Sequence, residues 1–242
     1  LTLRLIWVPV PGGVVEGERP APPPSALEWP DFKNGRLIAL FDGQQLEGWR
    51  AVGQGQWNVE GGAIVGRLDR PRPIGGFLVY ERKRFGDFIL RLKFKIPSGN
   101  SGIMIRSSEG GWAGLMGLQI DLDASDRGLT GSFFEVYAGP QPTGRKVNIS
   151  SLDADIHQRV RTEWTEMTIR AEGQSITVTV AGQQTGQWPD YNGPADGLIA
   201  LQVWGETEVM FRDIEICELS PDQATQVSPV GSQLPQMSQK GQ

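Results

Sequence analysis

The sequence has little of what several protein classes require. Cys217 is the single cysteine in 242 residues, so no intrachain disulfide forms and no cysteine cluster binds zinc. His157 is the single histidine, which excludes a histidine-rich metal site; it reads as a surface loop residue. No apolar run approaches the ~18 residues of a membrane-spanning helix. Basic residues number 23 against 28 acidic ones, a net charge of −5, which lacks the basic footprint of a nucleic-acid binder. No nucleophile elbow is present, and no repeat recurs at a fixed period. Helix-period stretches are scarce, residues 152–162 being the one place where a helical turn fits.

Glycine (32) and proline (17) are plentiful, and hydrophobic residues make up 38% of the chain. That mix favours many short strands joined by tight turns, in a chain long enough to bury a real core. Residues 9–30 are rich in proline and glycine and read as a linker or extended arm. After Leu219 the chain turns to serine, glutamine and proline with little to bury. The expected organisation is therefore an extended arm over 1–34, one domain over 35–219 and a mobile tail over 220–242. The first ten residues, with Arg4, read as the remnant of a leader, an alternative start or a first strand.

Within the domain, about a dozen short runs have strand character. They cover residues 37–41, 57–59, 63–65, 77–80, 88–96, 102–106 and 118–123, then 133–137, 164–171, 175–180, 197–203 and 208–218. Gly61-Gly62 marks a hairpin. Residues 88–96 alternate cleanly, Phe88, Leu90, Leu92, Phe94 and Ile96 opposite Arg91, Lys93 and Lys95. Trp49, Trp57 and Trp164 are expected in the core. Many strands and almost no helix predict an all-β fold, a two-sheet antiparallel β-sandwich or jelly roll, because strand edges must be paired or covered.

Three of these runs carry the charged candidate site residues. Side chains flip with period two along a strand. Met104 and Arg106 therefore share a face with Gly102, opposite Ile103 and Ile105. Gln119, Asp121 and Asp123 share a face opposite Leu118, Ile120 and Leu122, at steps of about 6.7 Å. Glu135 points away from Phe134 and Val136. A ladder of an amide and two carboxylates suits a sugar, acid–base work, or calcium or another divalent cation held by oxygen ligands. Asp121 sits mid-strand and is read as functional, whereas Asp123 is read chiefly as entering a turn. Arg106 is read both as a clamp for a hydroxyl or oxyanion and as an ion-pair partner of Asp121 or Glu135. Glu135 is an acid, a base or that arginine's partner. Asn100, in Ser-Gly-Asn-Ser-Gly, reads as turn chemistry. Trp112, in a glycine-flanked loop, suits stacking on a pyranose or folding back over a sheet edge. Gln202 and Trp204 share one strand face and are placed in the same cleft.

The order of segments resembles a known bacterial family. The pieces are LFDGQQLEGW (40–49), WNVEGGAIVG (57–66), FGDFILRLKFKIPSGNSGIMIRS (85–107) and GLQIDLD (117–123), followed by TGSFFEVYAG (130–139), EWTEMTIRAEGQSITVTVAGQ (163–183) and GLIALQVWGETEVMFRDIEI (197–216). Together they look like the 3-keto-disaccharide hydrolase domain, which has a concanavalin-A-like (laminin-G-like) jelly roll. This chain departs from the family pattern at Leu118, where an acid is frequent, at Phe134-Glu135, where Tyr-Asp is common, and at Trp204, where a histidine is frequent.

The resemblance implies a glycoside substrate whose sugar is oxidised to a ketone at C3. The ketone acidifies the C2 proton, a base removes it, the C1 substituent leaves, and water adds back. On this reading Asp121 or Glu135 is base or acid and Arg106 the electrostatic stabiliser. Gln119, Trp112, Gln202 and Trp204 hold the sugar, with Asp123 beside them. Two rival readings are a non-catalytic carbohydrate-binding module of the same fold and a retaining glycosidase with two carboxylates about 5–5.5 Å apart. The resemblance also implies export to the periplasm or beyond. Nothing in the sequence fixes an oligomeric state.

Overall fold

The structure is a computed structural model that describes residues 36–111, 114–125, 127–136, 146–147 and 152–219. The N-terminal arm and C-terminal tail expected from the sequence lie outside the described residues. Chain order begins with β1 (Arg36–Ala39), β2 (Trp49–Gly53), β3 (Gln56–Glu60), β4 (Ala63–Leu68) and β5 (Gly75–Phe85). Next come β6 (Phe88–Glu109), β7 (Leu115–Asp123), β8 (Phe133–Val136) and β9 (Lys146–Val147). A short helix, α1 (Ala154–Arg159), precedes β10 (Thr165–Glu172), β11 (Ser175–Val180), β12 (Gln183–Trp188) and β13 (Gly197–Glu218). The helix falls where the sequence allowed a helical turn, and the Asp153 carboxylate caps it by accepting from the Asp155 N–H at 2.9 Å. No helix among the described residues is long and apolar enough to cross a membrane.

The fold is all-β and antiparallel, as expected, but its two layers are not separate sheets. The thirteen strands among the described residues hydrogen-bond into one continuous sheet. The reason is that β6 and β13 are each 22 residues long and run through both layers. In the first layer β12, β11 and β10 are followed by the early part of β6 and the late part of β13, which also carries β4, β3 and β1. In the second, β9, β8 and β7 are followed by the late part of β6, the early part of β13, and then β5 and β2. The strand ladders thus fold back on themselves around one core.

Alternation on the two layers fills that core. Phe88, Leu90, Leu92, Phe94 and Ile96 from the first layer pack in one cluster with Ile103, Ile105, Leu118, Ile120, Leu122 and Phe133 from the second. Full burial of such side chains stabilises by roughly 1.5–3 kcal/mol each. The cations between them point outward, Arg91 to Glu215 at 3.0 Å and Lys93 to Asp213 at 3.0 Å. Trp49 is in the core, its indole N–H donating to the Leu40 carbonyl at 2.7 Å, and Trp57 packs at the core's margin. Trp164 is not a core residue. It is half-buried and lies under Lys95 and Arg212, at 5.3 and 4.2 Å from its ring centre.

The bend in β6 falls where the sequence suggested a turn. Gly99 has φ +81°, and a Cβ there would come within 2.1 Å of the Glu206 carbonyl oxygen. Only glycine allows the two long strands to cross so closely while turning. Gly61, by contrast, has φ +57° with nothing within 4 Å of a Cβ. Gly99→Ala is therefore expected to lower unfolding free energy by at least about 2 kcal/mol, from backbone strain plus overlap. Gly61→Ala should cost only about 1–2 kcal/mol, from backbone strain alone. Urea midpoints at unchanged slope check both; equal losses would contradict the close crossing.

Candidate functional site

Residues directly opposite each other on neighbouring strands share a face, so the register defines what lies on the second layer's outer side. Asp121 stands opposite Gly102, Gly102 opposite Gln202, Gln202 opposite Phe77, and Phe77 opposite Val52. The row above it holds Asp123, Asn100 and Trp204, and the row below holds Phe134, Gln119, Met104 and Ala200. Five expected site residues are thus brought onto one surface, namely Gln119, Asp121, Asp123, Gln202 and Trp204. They face away from the main core, yet Gln119, Asp121 and Gln202 are all buried.

At the middle of this surface the Gln119 side chain fills the place a Cβ would take at Gly102, and Gln202 stands on the neighbouring strand. Gly102 has no side chain, and a Cβ there would meet the Gln119 side chain at 2.6 Å. Gln119 lies over it and donates its Nε2–H to Asp121 Oδ1 at 2.6 Å. That bond orients the carboxylate and leaves the amide oxygen facing away from it. Gln119 Oε1 and Gln202 Oε1 are both buried without a hydrogen-bond partner. Leaving a buried acceptor unpaired costs about 1–3 kcal/mol. Two such oxygens beside one carboxylate offer acceptors to hydroxyl donors of a ligand. The sequence held one sign of this close packing, glycine at an alternation position beside Met104, but its partners across the sheet were not legible.

Two of the three expected catalytic residues go elsewhere. Arg106 was expected to share the Gly102–Met104 face. A register shift between Ile105 and Ser108, with Arg106 at φ 46°, flips it to the other side. Its guanidinium donates to the carbonyls of Gly86 (3.2 Å) and Gly173 (2.8 Å) and to Asp87 (3.1 Å), and lies 5.9 Å from the Tyr191 ring centre. Burial lowers its pKa from the ordinary arginine value, and the Asp87 charge opposes that shift. Neither Asp121 nor Glu135 is its ion-pair partner. Glu135 does point away from Phe134 and Val136, but it stands opposite Leu118, which stands opposite Ile105. Glu135 therefore takes the core side and Phe134 the side of Gln119.

The remaining expectations divide. Asp123 shares the row but serves the following turn: its Oδ1 accepts from the Ser125 N–H at 3.1 Å and its Oδ2 pairs with Arg127 at 2.8 Å. Asn100 lies inside β6, not in a turn, and its Nδ2 donates to the Leu122 carbonyl at 3.1 Å. Trp112 lies outside the described residues. His157 is not a surface loop residue; it sits on α1, is buried, and neither ring nitrogen has a partner. No three His, Cys, Asp or Glu side chains gather as metal ligands among the described residues.

Next to the polar row is a groove of about 690 Å³, lined by Val52, Ile74 and Arg70 and by Gly53, Gly75 and Gly114. Its link to the row is Trp204, which is half-buried and lies over Gly75, where a Cβ would meet its ring at 2.5 Å. The sequence did not show this groove because β2 had not been recognised as a strand; its burial runs without alternation.

The fold is that of a jelly-roll protein. It is similar to a putative glycosyl hydrolase from Parabacteroides distasonis, with 20% identity and a TM-score of 0.53 over 76% of this chain and 94% of that one. The carbohydrate binding module CBM66 from Bacillus subtilis is similar too, with 18% identity and a TM-score of 0.52 over 69% and 94%. A Bacillus subtilis protein of unknown function with a galectin-like fold shares 11% identity, with a TM-score of 0.53 over 76% and 96%. At such identities the likeness is one of fold. No curated protein sequence matches the chain. The chain belongs to the 3-keto-alpha-glucoside-1,2-lyase-like domain family, which it matches over residues 36–217. It is on that ground a carbohydrate-active protein.

Arg106 gives a stability prediction. Arg106→Ala removes the donor to two carbonyls and empties the volume of a buried side chain, an expected loss of about 2–5 kcal/mol. Arg106→Lys should recover little of it, since an ammonium lacks the planar fork. Chemical denaturation reads the effect; wild-type stability in either variant would remove the structural role given to Arg106.

Proposed function

We propose that the outer face around Gly102 binds a 3-keto-glucoside and that the Asp121 carboxylate removes its C2 proton. The observation that carries this is the Gln119–Asp121 hydrogen bond of 2.6 Å, with Gln119 packed over Gly102 and two unpartnered amide oxygens beside it. The oxygens accept from sugar hydroxyls. Gln119 holds the carboxylate in one orientation, and the Gln202 amide offers a donor towards the enolate oxygen. The C2–H electron pair becomes the C1=C2 double bond as the C1–O bond breaks. The departing oxygen takes a proton from solvent. Water then adds across the double bond, its oxygen to C1 and a hydrogen to C2, giving the free 3-keto sugar. Arg106 and Glu135, on the core side, are given no part. A periplasmic or extracellular setting belongs to the same proposal.

A binding-only role on the same face is the second reading. One observation favours it: of the two carboxylates expected to act together, Asp121 faces the row and Glu135 does not. Calorimetry with intact oligosaccharides beside turnover assays on their 3-keto forms separates the two. A retaining glycosidase is less well supported, since it needs two carboxylates on one face and Asp123 is occupied by its turn.

The test is exchange of the C2 hydrogen. Wild-type protein in deuterated water should exchange it in a 3-keto-glucoside and release the aglycone, both followed by NMR. Asp121→Asn should slow both by about 10²–10⁴-fold, the usual contribution of a positioned base. Full exchange and release in Asp121→Asn, with its fold intact, would overturn the assignment.

A further inference from the structure

We infer that the groove beside Trp204 is a leaving-group subsite selecting glycosides whose aglycone is flat, apolar and singly negative. The inference rests on the reading of the Asp121 row as the sugar site. Asp121 and Val52 are four strands apart along one cross-strand row, a span of about 19 Å at the usual strand spacing. Gly75 is three strands away, about 14 Å. One sugar ring does not cover that distance, so a ligand touching both ends has a sizeable aglycone.

The shape argues for a flat group. Gly53, Gly75 and Gly114 present backbone to the groove, while Val52 and Ile74 supply its apolar side chains. At Gly114 a Cβ would come within 2.3 Å of Val52 Cγ1, so the backbone just before β7 approaches β2 closely.

The charge argues for an anion. Arg70 is exposed and is the charged residue of the lining. It holds no ion pair among the described residues, whereas nearby Arg50 pairs with Glu81 and Glu109, and Arg67 with Glu60 and Glu208. An unpaired guanidinium at the mouth of an apolar slot matches a carboxylate in fork geometry. In a chain of net charge −5, such a cation gives an anionic aglycone a local attraction.

Calorimetry on the full chain with 4-carboxyphenyl and phenyl α-glucosides tests this, since neither is oxidised at C3. The carboxylated ligand should bind about fivefold tighter, the scale of an exposed ion pair. The gap should narrow at high salt, and Arg70→Gln should bring the two to equal affinity. Equal affinity in wild type, binding of neither ligand, or a preference that survives Arg70→Gln would each overturn the inference. Wild-type turnover of methyl 3-keto-α-glucoside, which has nothing to fill the groove, tests the Asp121 row alone. Failure of one reading is thereby told from failure of the other.

Discussion

The pairing of β6 with β13 is the constraint on which the site depends. It joins residues about a hundred positions apart, Gly102 against Gln202, and continues through both layers of the sandwich. Each backbone hydrogen bond in such a ladder contributes only about 1 kcal/mol net, but the ladder fixes which side chains share a face. Because β7 lies along the other edge of β6, Asp121 and Gln202 face each other across a residue with no side chain. Contacts so distant in sequence form late and slowly, so the site is an outcome of the whole fold and not of any one motif.

The outer face of the second layer is not a solvated surface. Met104, Ala200, Phe77 and Val79 form a small buried cluster there, which shows that apolar side chains fit this side of the sheet. Against that background, burying Gln119 and Gln202 with unpaired oxygens costs stability that an inert face would not need to lose. A ligand rich in hydroxyl donors removes that cost on binding. The same physics explains the contrast with Arg106, whose donors are consumed by Gly86, Gly173 and Asp87. A cation so fully engaged stitches loops together and is not available to a substrate.

Period-two alternation made part of this legible in the sequence. It paired Gln119 with Asp121, and Gln202 with Trp204, because those strands are regular over the stretch concerned. It failed for Arg106, where one irregularity in register moves a side chain to the opposite face, and nothing in Ile-Arg-Ser-Ser announces it. It failed for Glu135 for a different reason. Alternation within the four residues of β8 says which side chains oppose each other, but only pairing with β7 says which side is the core. The length of β6 was hidden as well, since Ser-Gly-Asn-Ser-Gly has the composition of a turn and acts as a bend within a strand. His157 escaped because a helix of six residues leaves too little periodicity to show its buried side.

The central claim is that the polar face formed by Gln119, Asp121 and Gln202 receives the oxidised sugar. A crystal structure of the protein soaked with a 3-keto-glucoside tests it most directly. The account predicts the sugar ring against the Gln119 and Gln202 side chains, with hydroxyls on their amide oxygens and C2 within reach of the Asp121 carboxylate. A sugar bound on the other face of that layer, or anywhere that leaves both amide oxygens unpartnered, would contradict it.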